Sequence, residues 1–90
     1  MRVALICTDK AGALQTRLDT RPAHLAYMAE TGVVEMAGPL LGADGKPCGS
    51  LVILEVEDVA AAEAWAAADP YALAGLFSDV KVIQWNKVVG

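Results

Sequence analysis

Apolar positions change their spacing along the chain, and each change marks a predicted element. Residues 2–8 are apolar at both parities, which is typical of a strand that is covered on both faces. From about residue 10 to residue 30 the apolar side chains follow a helical period and would share one helix face; they are Leu14, Leu18, Leu25 and Met28. Pro22 lacks a backbone N–H and disfavours helical geometry before it, so we expect this helix to kink there or to consist of two pieces.

The rest of the chain alternates between strand and helix patterns. Gly32 is suited to close the first helix, and residues 33–41 and 49–57 predict a second and a third strand joined by a short, turn-rich connection. Such a connection favours an antiparallel hairpin. Asp58 is suited to cap an alanine-rich helix, and residues 80–89, again apolar at both parities, predict the last strand.

The order of these elements, β-α-β-β-α-β, predicts an α+β domain of the ferredoxin-like type over residues 1–90. Two helices cover one face of the resulting four-stranded antiparallel sheet, yet strands one, three and four are apolar on both faces. The second face therefore needs a partner. We expect a homodimer in which two sheets pack face to face as an α+β barrel that encloses a cavity, and we expect the functional site to lie in that shared interior.

Composition agrees with this expectation and excludes several other classes. A chain of 90 residues has room for one domain, and 56% apolar residues with a mean hydropathy of +0.42 exceed what so small an interior can bury. The net charge is −4 with scattered basic residues, which disfavours nucleic acid and anionic membranes as partners. The longest apolar run, Val3–Cys7, is too short for a membrane span or a signal peptide. Cys7 and Cys48 form no disulfide framework, so we expect a cytoplasmic location.

His24 is the first candidate for acid–base chemistry, because it is the only histidine. The alternative is a half-buried helix residue with a structural hydrogen bond. Asp69 is the second candidate, since the end of the second helix can approach the start of the helix piece that bears His24. An aspartate there would orient the imidazole. Taken alone, Asp69 before Pro70 is favoured as a helix cap.

Three further side chains could complete a substrate site. Arg21 lies one helical step before His24 and could hold a carboxylate, although a solvated arginine that pairs with Asp19 is at least as plausible. Ser50 could donate a hydrogen bond into a cavity, or serve local turn structure. Tyr71, like Trp85, could line an apolar pocket, although such aromatic residues more often belong to the core.

Signatures of other chemistries are absent from the sequence. The glycines at 42 and 45 lack the Gly-Lys-Ser/Thr of a phosphate loop, and no motif supports a serine or cysteine nucleophile. One histidine and two distant cysteines make a structural zinc site improbable. We therefore expect neither a metal nor a cofactor.

Short motifs along the whole chain resemble the YciI-like (YCII domain) family. They are RPAHL at 21–25, AGPL at 37–40, DG at 44–45, GS at 49–50, ADPY at 68–71 and AGL at 74–76, followed by a closing strand with a tryptophan. The resemblance implies a ferredoxin-like fold that forms a dimeric barrel. It also implies a pocket with a histidine and aspartate pair and a serine after glycine, which map onto His24, Asp69 and Ser50. One class of members eliminates HCl from a chlorinated aromatic-derived intermediate.

The sequence thus favours a small cofactor-free enzyme, of the lyase or isomerase type, that acts on a small acidic or phenolic metabolite. In this hypothesis His24 is the general base and acid, Asp69 orients it, and Arg21 or Ser50 holds a substrate oxygen. The alternative is a non-catalytic module of the same fold that binds a small molecule or only dimerises. A ring nitrogen of His24 that faces a cavity would favour chemistry over structure.

Overall fold

The computed structural model describes all 90 residues, Met1–Gly90, as four strands and three helices. In chain order they are β1 (Arg2–Asp9), α1 (Leu14–Thr31), β2 (Val34–Leu41), β3 (Pro47–Glu55), α2 (Val59–Ala68), α3 (Pro70–Leu73) and β4 (Phe77–Trp85). None of the three helices combines the length and the hydropathy that crossing a membrane requires.

The strands form one antiparallel sheet in the order β2-β3-β1-β4. β1 lies in the centre, where Leu5 is opposite Val52 of β3 and Val82 of β4. β2 and β3 form the expected hairpin, in which Leu41 pairs with Pro47. This arrangement confirms the predicted ferredoxin-like α+β fold.

The core lies between the sheet and the helices. Alternate residues of β1 and β3 point to the helices and are buried, and they pack against Ala62 and Trp65 of α2 and against Tyr27 and Met28 of α1. Both long helices therefore cover the same face of the sheet, as predicted. Asp58 caps α2, since its Oδ1 accepts a hydrogen bond of 2.7 Å from the backbone N–H of Ala61.

The opposite face of the sheet is uncovered in the single chain and largely apolar, although Arg2, Glu55, Asp79 and Lys81 also lie on it. Large side chains remain between about a third and a half exposed there: Met36 and Leu40 of β2, Leu51 of β3, and Ile83 and Trp85 of β4. Trp85 thus belongs neither to the core nor to a pocket on the helix side.

α1 differs from its prediction in two respects. It is one uninterrupted helix through Pro22, so the prediction of two separate pieces is wrong. Buried side chains hold the helix on both sides of the proline, Arg17 before it and His24 after it. The helix also begins later than expected, at Leu14, because Gly12 in the preceding turn has a left-handed φ of 71°.

The last strand lies earlier in the chain than predicted, at Phe77–Trp85 rather than residues 80–89. Its limits follow from its only neighbour in the sheet, β1. Trp85 pairs with Arg2, the first residue of β1, so no partner remains for the apolar residues Val88 and Val89. The periodicity of apolar residues alone could not predict where β4 ends.

Candidate active site

His24 and Asp69, which the sequence separates by most of the domain, lie in contact where α1 meets the start of α3. Nδ1 of His24 is 2.8 Å from Oδ1 of Asp69, and both side chains are almost fully buried. Oδ1 of Asp69 also accepts a hydrogen bond of 3.0 Å from the backbone N–H of Tyr71. Asp69 therefore caps α3 and holds the histidine with the same oxygen.

This contact fixes the orientation and the tautomer of the imidazole. The carboxylate of Asp69 is an acceptor, so Nδ1 of His24 carries the hydrogen and Nε2 carries the lone pair. No protein group bonds to Nε2, yet every fully buried side-chain nitrogen or oxygen has a partner. Nε2 must therefore reach accessible space, and His24 lines a cavity of about 280 Å³.

Tyr71 supports the histidine from the side. The two rings stack at a centroid distance of 4.0 Å with an interplanar angle of 18°. Phe77 of β4 in turn meets the tyrosine ring edge-on, with centroids 6.0 Å apart. The imidazole is thus held by one hydrogen bond and one stacked ring, and rotation about its side-chain bonds is restricted at both contacts.

Arg17 and Asp9 form a second buried pair, which the sequence did not reveal. The Nε and Nη2 atoms of Arg17 donate to Oδ2 and Oδ1 of Asp9 at 2.7 and 2.8 Å, and Nη2 also donates to Oγ of Ser50 at 2.9 Å. The guanidinium carbon lies 4.7 Å from the centre of the Tyr71 ring. Arg17 lies two helical turns before His24 on α1, so this spacing was the one available signal.

Burial and charge act together on the ionisable groups around this pair. Burial lowers the pKa of Arg17, but the hydrogen bonds and negative charge of Asp9 outweigh it, so the pKa is raised and the cation persists. Burial raises the pKa of Cys7 to about 12, with a smaller contribution from the charge of Asp69. Cys7 is therefore a neutral thiol in the core beside the site.

The cavity between α1 and the β2–β3 hairpin has a volume of about 280 Å³. His24, Ser50 and Tyr71 line it, together with Arg17 and Arg21. All of the predicted site residues therefore border this space except Asp69, which lies behind His24. The expectation of a site in the shared interior of a dimer barrel is wrong, because this cavity lies on the face of the sheet that the helices cover. The hydroxyl of Ser50 is bonded to Arg17 of the site and does not serve the structure of a local turn.

Two expectations for α1 need correction. Leu18 and Leu25, assigned to its apolar face, are 49% and 45% exposed and line the cavity, while the buried residues of the helix are Arg17 and His24. Arg21 makes no ion pair, and Asp19, its suggested partner, accepts instead from Gln15 at 2.8 Å. Leu18, Leu25 and Met28 therefore form a wall of the cavity, whereas Leu14 lies outside it.

No three His, Cys, Asp or Glu side chains lie close enough together to hold a metal ion. The two cysteines are free thiols, Cys7 buried and Cys48 exposed. The chemistry available in the cavity is thus that of one oriented imidazole, two guanidinium groups and two hydroxyls.

Known proteins similar to this chain share its full length. It is 40% identical to Protein YciI of Escherichia coli O6:H1, covering 98% of this chain and 99% of that protein. An uncharacterized protein of Haemophilus influenzae is 33% identical with the same coverage.

Solved structures agree with these relatives. The 5-chloro-2-hydroxyhydroquinone dehydrochlorinase TftG of Burkholderia phenoliruptrix AC1100, in complex with 2,5-dihydroxybenzoquinone, is 34% identical. It superimposes with a TM-score of 0.88 over 96% of this chain and 94% of the enzyme. An antibiotic biosynthesis monooxygenase with 15% identity and a TM-score of 0.61 shares the fold alone. The YCII-related domain model matches residues 1–86, and the chain therefore belongs to the YCII-related domain family.

Proposed function

We propose that this protein is a small enzyme of the lyase or isomerase type that uses His24 as a general base and acid on a small acidic or phenolic metabolite. The observation that carries the proposal is the state of the imidazole. Its Nδ1 is held by Asp69, its Nε2 has no protein partner, and His24 borders the cavity. A purely structural histidine would be expected to use both nitrogens.

Asp69 acts as the orienting residue in this proposal. It keeps Nε2 as the basic nitrogen and stabilises the imidazolium that forms when Nε2 accepts a proton. In an isomerisation, His24 returns that proton to another carbon. In an elimination, a leaving group departs with its bonding electron pair. Arg21 or Ser50 is available to hold a substrate oxygen.

Similarity to TftG supports the proposed substrate class. That enzyme is a dehydrochlorinase of a hydroxylated aromatic compound, and its ligand is a ring with hydroxyl and carbonyl oxygens. The cavity of this chain suits a ligand of similar size, because about 280 Å³ lies near the lower end of small-molecule sites.

Proton exchange tests the proposal even where the product of the reaction is unidentified. We would incubate the protein in D₂O with a panel of small phenols, hydroxyquinones and keto acids and follow loss of C–H signals by NMR. Chloride release from 5-chloro-2-hydroxyhydroquinone would be measured in parallel. We expect catalysis in at least one assay and a decrease of about 10²-fold or more in His24→Gln. Undiminished turnover in a folded His24→Gln variant would contradict the proposal, as would an inert wild type.

The two aspartate caps provide a matched control. Asp58 and Asp69 each accept a backbone N–H at the start of a helix, but only Asp69 also contacts His24. Asp69→Asn should therefore lower turnover, and Asp58→Asn should leave it unchanged. Equal losses in both variants would indicate an effect of helix capping rather than of orientation.

We also propose that the protein functions as a homodimer built through the uncovered sheet face. The support is the apolar character of that face, on which Leu51 and Ile83 remain 40% and 50% exposed in the single chain. Size-exclusion chromatography with light scattering should give twice the 9.4 kDa of one chain. Leu51→Lys should shift the mass toward the monomer, whereas a wild-type monomer at low micromolar concentration would contradict this assembly.

A further inference from the structure

Arg17 is a buried cation whose donors are only partly used. A guanidinium has five N–H groups. The one on Nε and both on Nη2 are directed to Asp9 and Ser50, whereas Nη1 has no acceptor within hydrogen-bond geometry, although the Tyr71 side chain lies close enough to act on the guanidinium. Since no fully buried polar atom lacks a partner, Nη1 reaches accessible space, and Arg17 lines the same cavity as His24.

The neighbouring hydroxyls also present hydrogens rather than acceptors. Ser50 accepts from Arg17, and its own hydrogen has no acceptor within the protein. Burial raises the pKa of Tyr71, while the charges of Arg17 and Arg21 act in the opposite direction, and the hydroxyl remains protonated at neutral pH. The polar side chains that line the cavity thus have hydrogens to offer to a ligand, and His24 Nε2 adds a free lone pair.

The hydrogen-bond donors of the cavity wall determine which ligands can bind there. A ligand that displaces water from these donors must offer them an acceptor in its place, so the favoured ligand is one that supplies an oxygen, and preferably one that carries negative charge. Arg17 is fixed by two bonds to Asp9 and one to Ser50, so its free edge is preorganised for that oxygen.

We propose that Nη1 of Arg17 and the hydroxyl of Ser50 form an oxyanion-binding site, and that the substrates are single-ring or smaller compounds with an enolisable carbonyl or a phenolic oxygen. This inference rests on the proposed role of His24 as the base, and it assigns the place where the negative charge of the reaction collects. Asp9 balances the charge of Arg17 and fixes its orientation.

The proton transfer balances within this site. Nε2 of His24 takes the proton from a carbon next to a carbonyl group. The electron pair of the broken C–H bond forms a C=C bond, and the π pair of the carbonyl moves onto its oxygen. The resulting oxyanion accepts hydrogen bonds from Arg17 and Ser50, while the imidazolium is stabilised by Asp69.

Binding of 4-nitrophenol tests the site independently of turnover, because its phenolate has a distinct visible absorbance. The O-methylated analogue 4-nitroanisole has the same ring and no ionisable oxygen. We expect the wild type to bind the phenolate more tightly than the anisole and to shift ionisation of the bound phenol to lower pH. A wild type without this preference would overturn the inference.

The decisive variant is the double substitution Asp9→Asn with Arg17→Met, which removes the pair and leaves the net charge unchanged. Its affinity for the phenolate should fall about 10- to 100-fold, with little change for 4-nitroanisole. The control, Arg2→Met with Glu35→Gln, removes the exposed ion pair of β1 and β2 and should behave as the wild type. Unchanged phenolate affinity in the folded cavity variant would refute the proposal.

Two single variants test the proposal if the double variant does not fold, and they separate it from the proposed role of His24. If the double variant does not fold, Ser50→Ala should still lower the phenolate preference about threefold, and an unchanged preference would overturn the inference. His24→Gln should retain the preference. If His24→Gln keeps both the phenolate preference and proton exchange, His24 is not the base but the oxyanion site stands. If His24→Gln loses proton exchange while the Arg17 variant binds the phenolate as the wild type does, the base stands and the oxyanion site is rejected.

Discussion

Gly49 lies at the closest approach of two strands, and replacing it with alanine should be strongly destabilising. It sits in β3 opposite Thr8 of β1 and Leu40 of β2. A Cβ atom built on Gly49 would lie 2.3 Å from the carbonyl oxygen of Cys7 and 3.3 Å from Cδ1 of Leu40. The leucine side chain can move, but the carbonyl belongs to the central strand.

The size of the effect follows from this overlap. Ordinary contacts between carbon and a carbonyl oxygen begin near 3.3 Å, so the two backbones would have to separate by about 1 Å. Overpacking of this kind costs about 1–3 kcal/mol, and the rigid partner places Gly49→Ala near the upper end. For a domain of this size, about 2–3 kcal/mol corresponds to a decrease in Tm of roughly 8–20 °C.

The measurement is urea unfolding at one fixed protein concentration, followed by tryptophan fluorescence, since Trp65 is buried in the core. Gly38→Ala is the matched control, because Gly38 lies in the adjacent strand β2 and a Cβ there has no neighbour within 4 Å. The control should be neutral or slightly stabilising. If Gly49→Ala differs from Gly38→Ala by less than about 0.5 kcal/mol, the argument from strand approach is refuted.

Further predictions concern the thiols, the cap and the helix face. In native protein a thiol reagent should modify Cys48 and spare Cys7, whose raised pKa of about 12 keeps it neutral. The stability that this thiol contributes is complete below its ordinary pKa of 9.0 and is lost as the pH rises toward 12, so Cys7→Ala should reduce alkaline destabilisation between these values. Asp69→Ala should cost about 1–3 kcal/mol in urea unfolding and Asp69→Asn less, because the amide oxygen can still cap α3; equal costs would argue against the cap. Leu54→Ala in the core should cost about 2–5 kcal/mol. Leu25→Ser should cost well under half of that, since Leu25 lines an open cavity, and equal costs would place it in the core instead.

Much of the fold could be predicted from local patterns. Strand and helix periods gave the element order, Gly32 ends α1 with a φ of 67°, and Asp58 caps α2. The limits of β4 could not be predicted in the same way. They depend on where β1 begins and ends, and hydrophobicity beyond Trp85 is no guide once the neighbouring strand has stopped.

Some residues of the candidate site could be predicted from the sequence and others could not. His24 was identifiable because it is the only histidine, and Asp69 because the predicted topology brings it near His24 and the family resemblance maps onto both residues. Asp9 and Arg17 were not, since an acid after a strand and a base on a helix usually face solvent. Only the packing of α1 against the end of β1 makes their charges a buried pair.

The distribution of buried polar side chains favours the proposed chemical role of the cavity over a role in stability. Of the 16 buried residues, four are polar or charged: Arg17, His24, Ser50 and Asp69. All four border the cavity or bond directly to a residue that does. In a domain this small, well-packed apolar residues would give similar or greater stability than buried ion pairs, which carry a large desolvation cost. The concentration of this cost at one cavity therefore supports the proposed base and the proposed oxyanion site, which would have to be kept in a fixed relation.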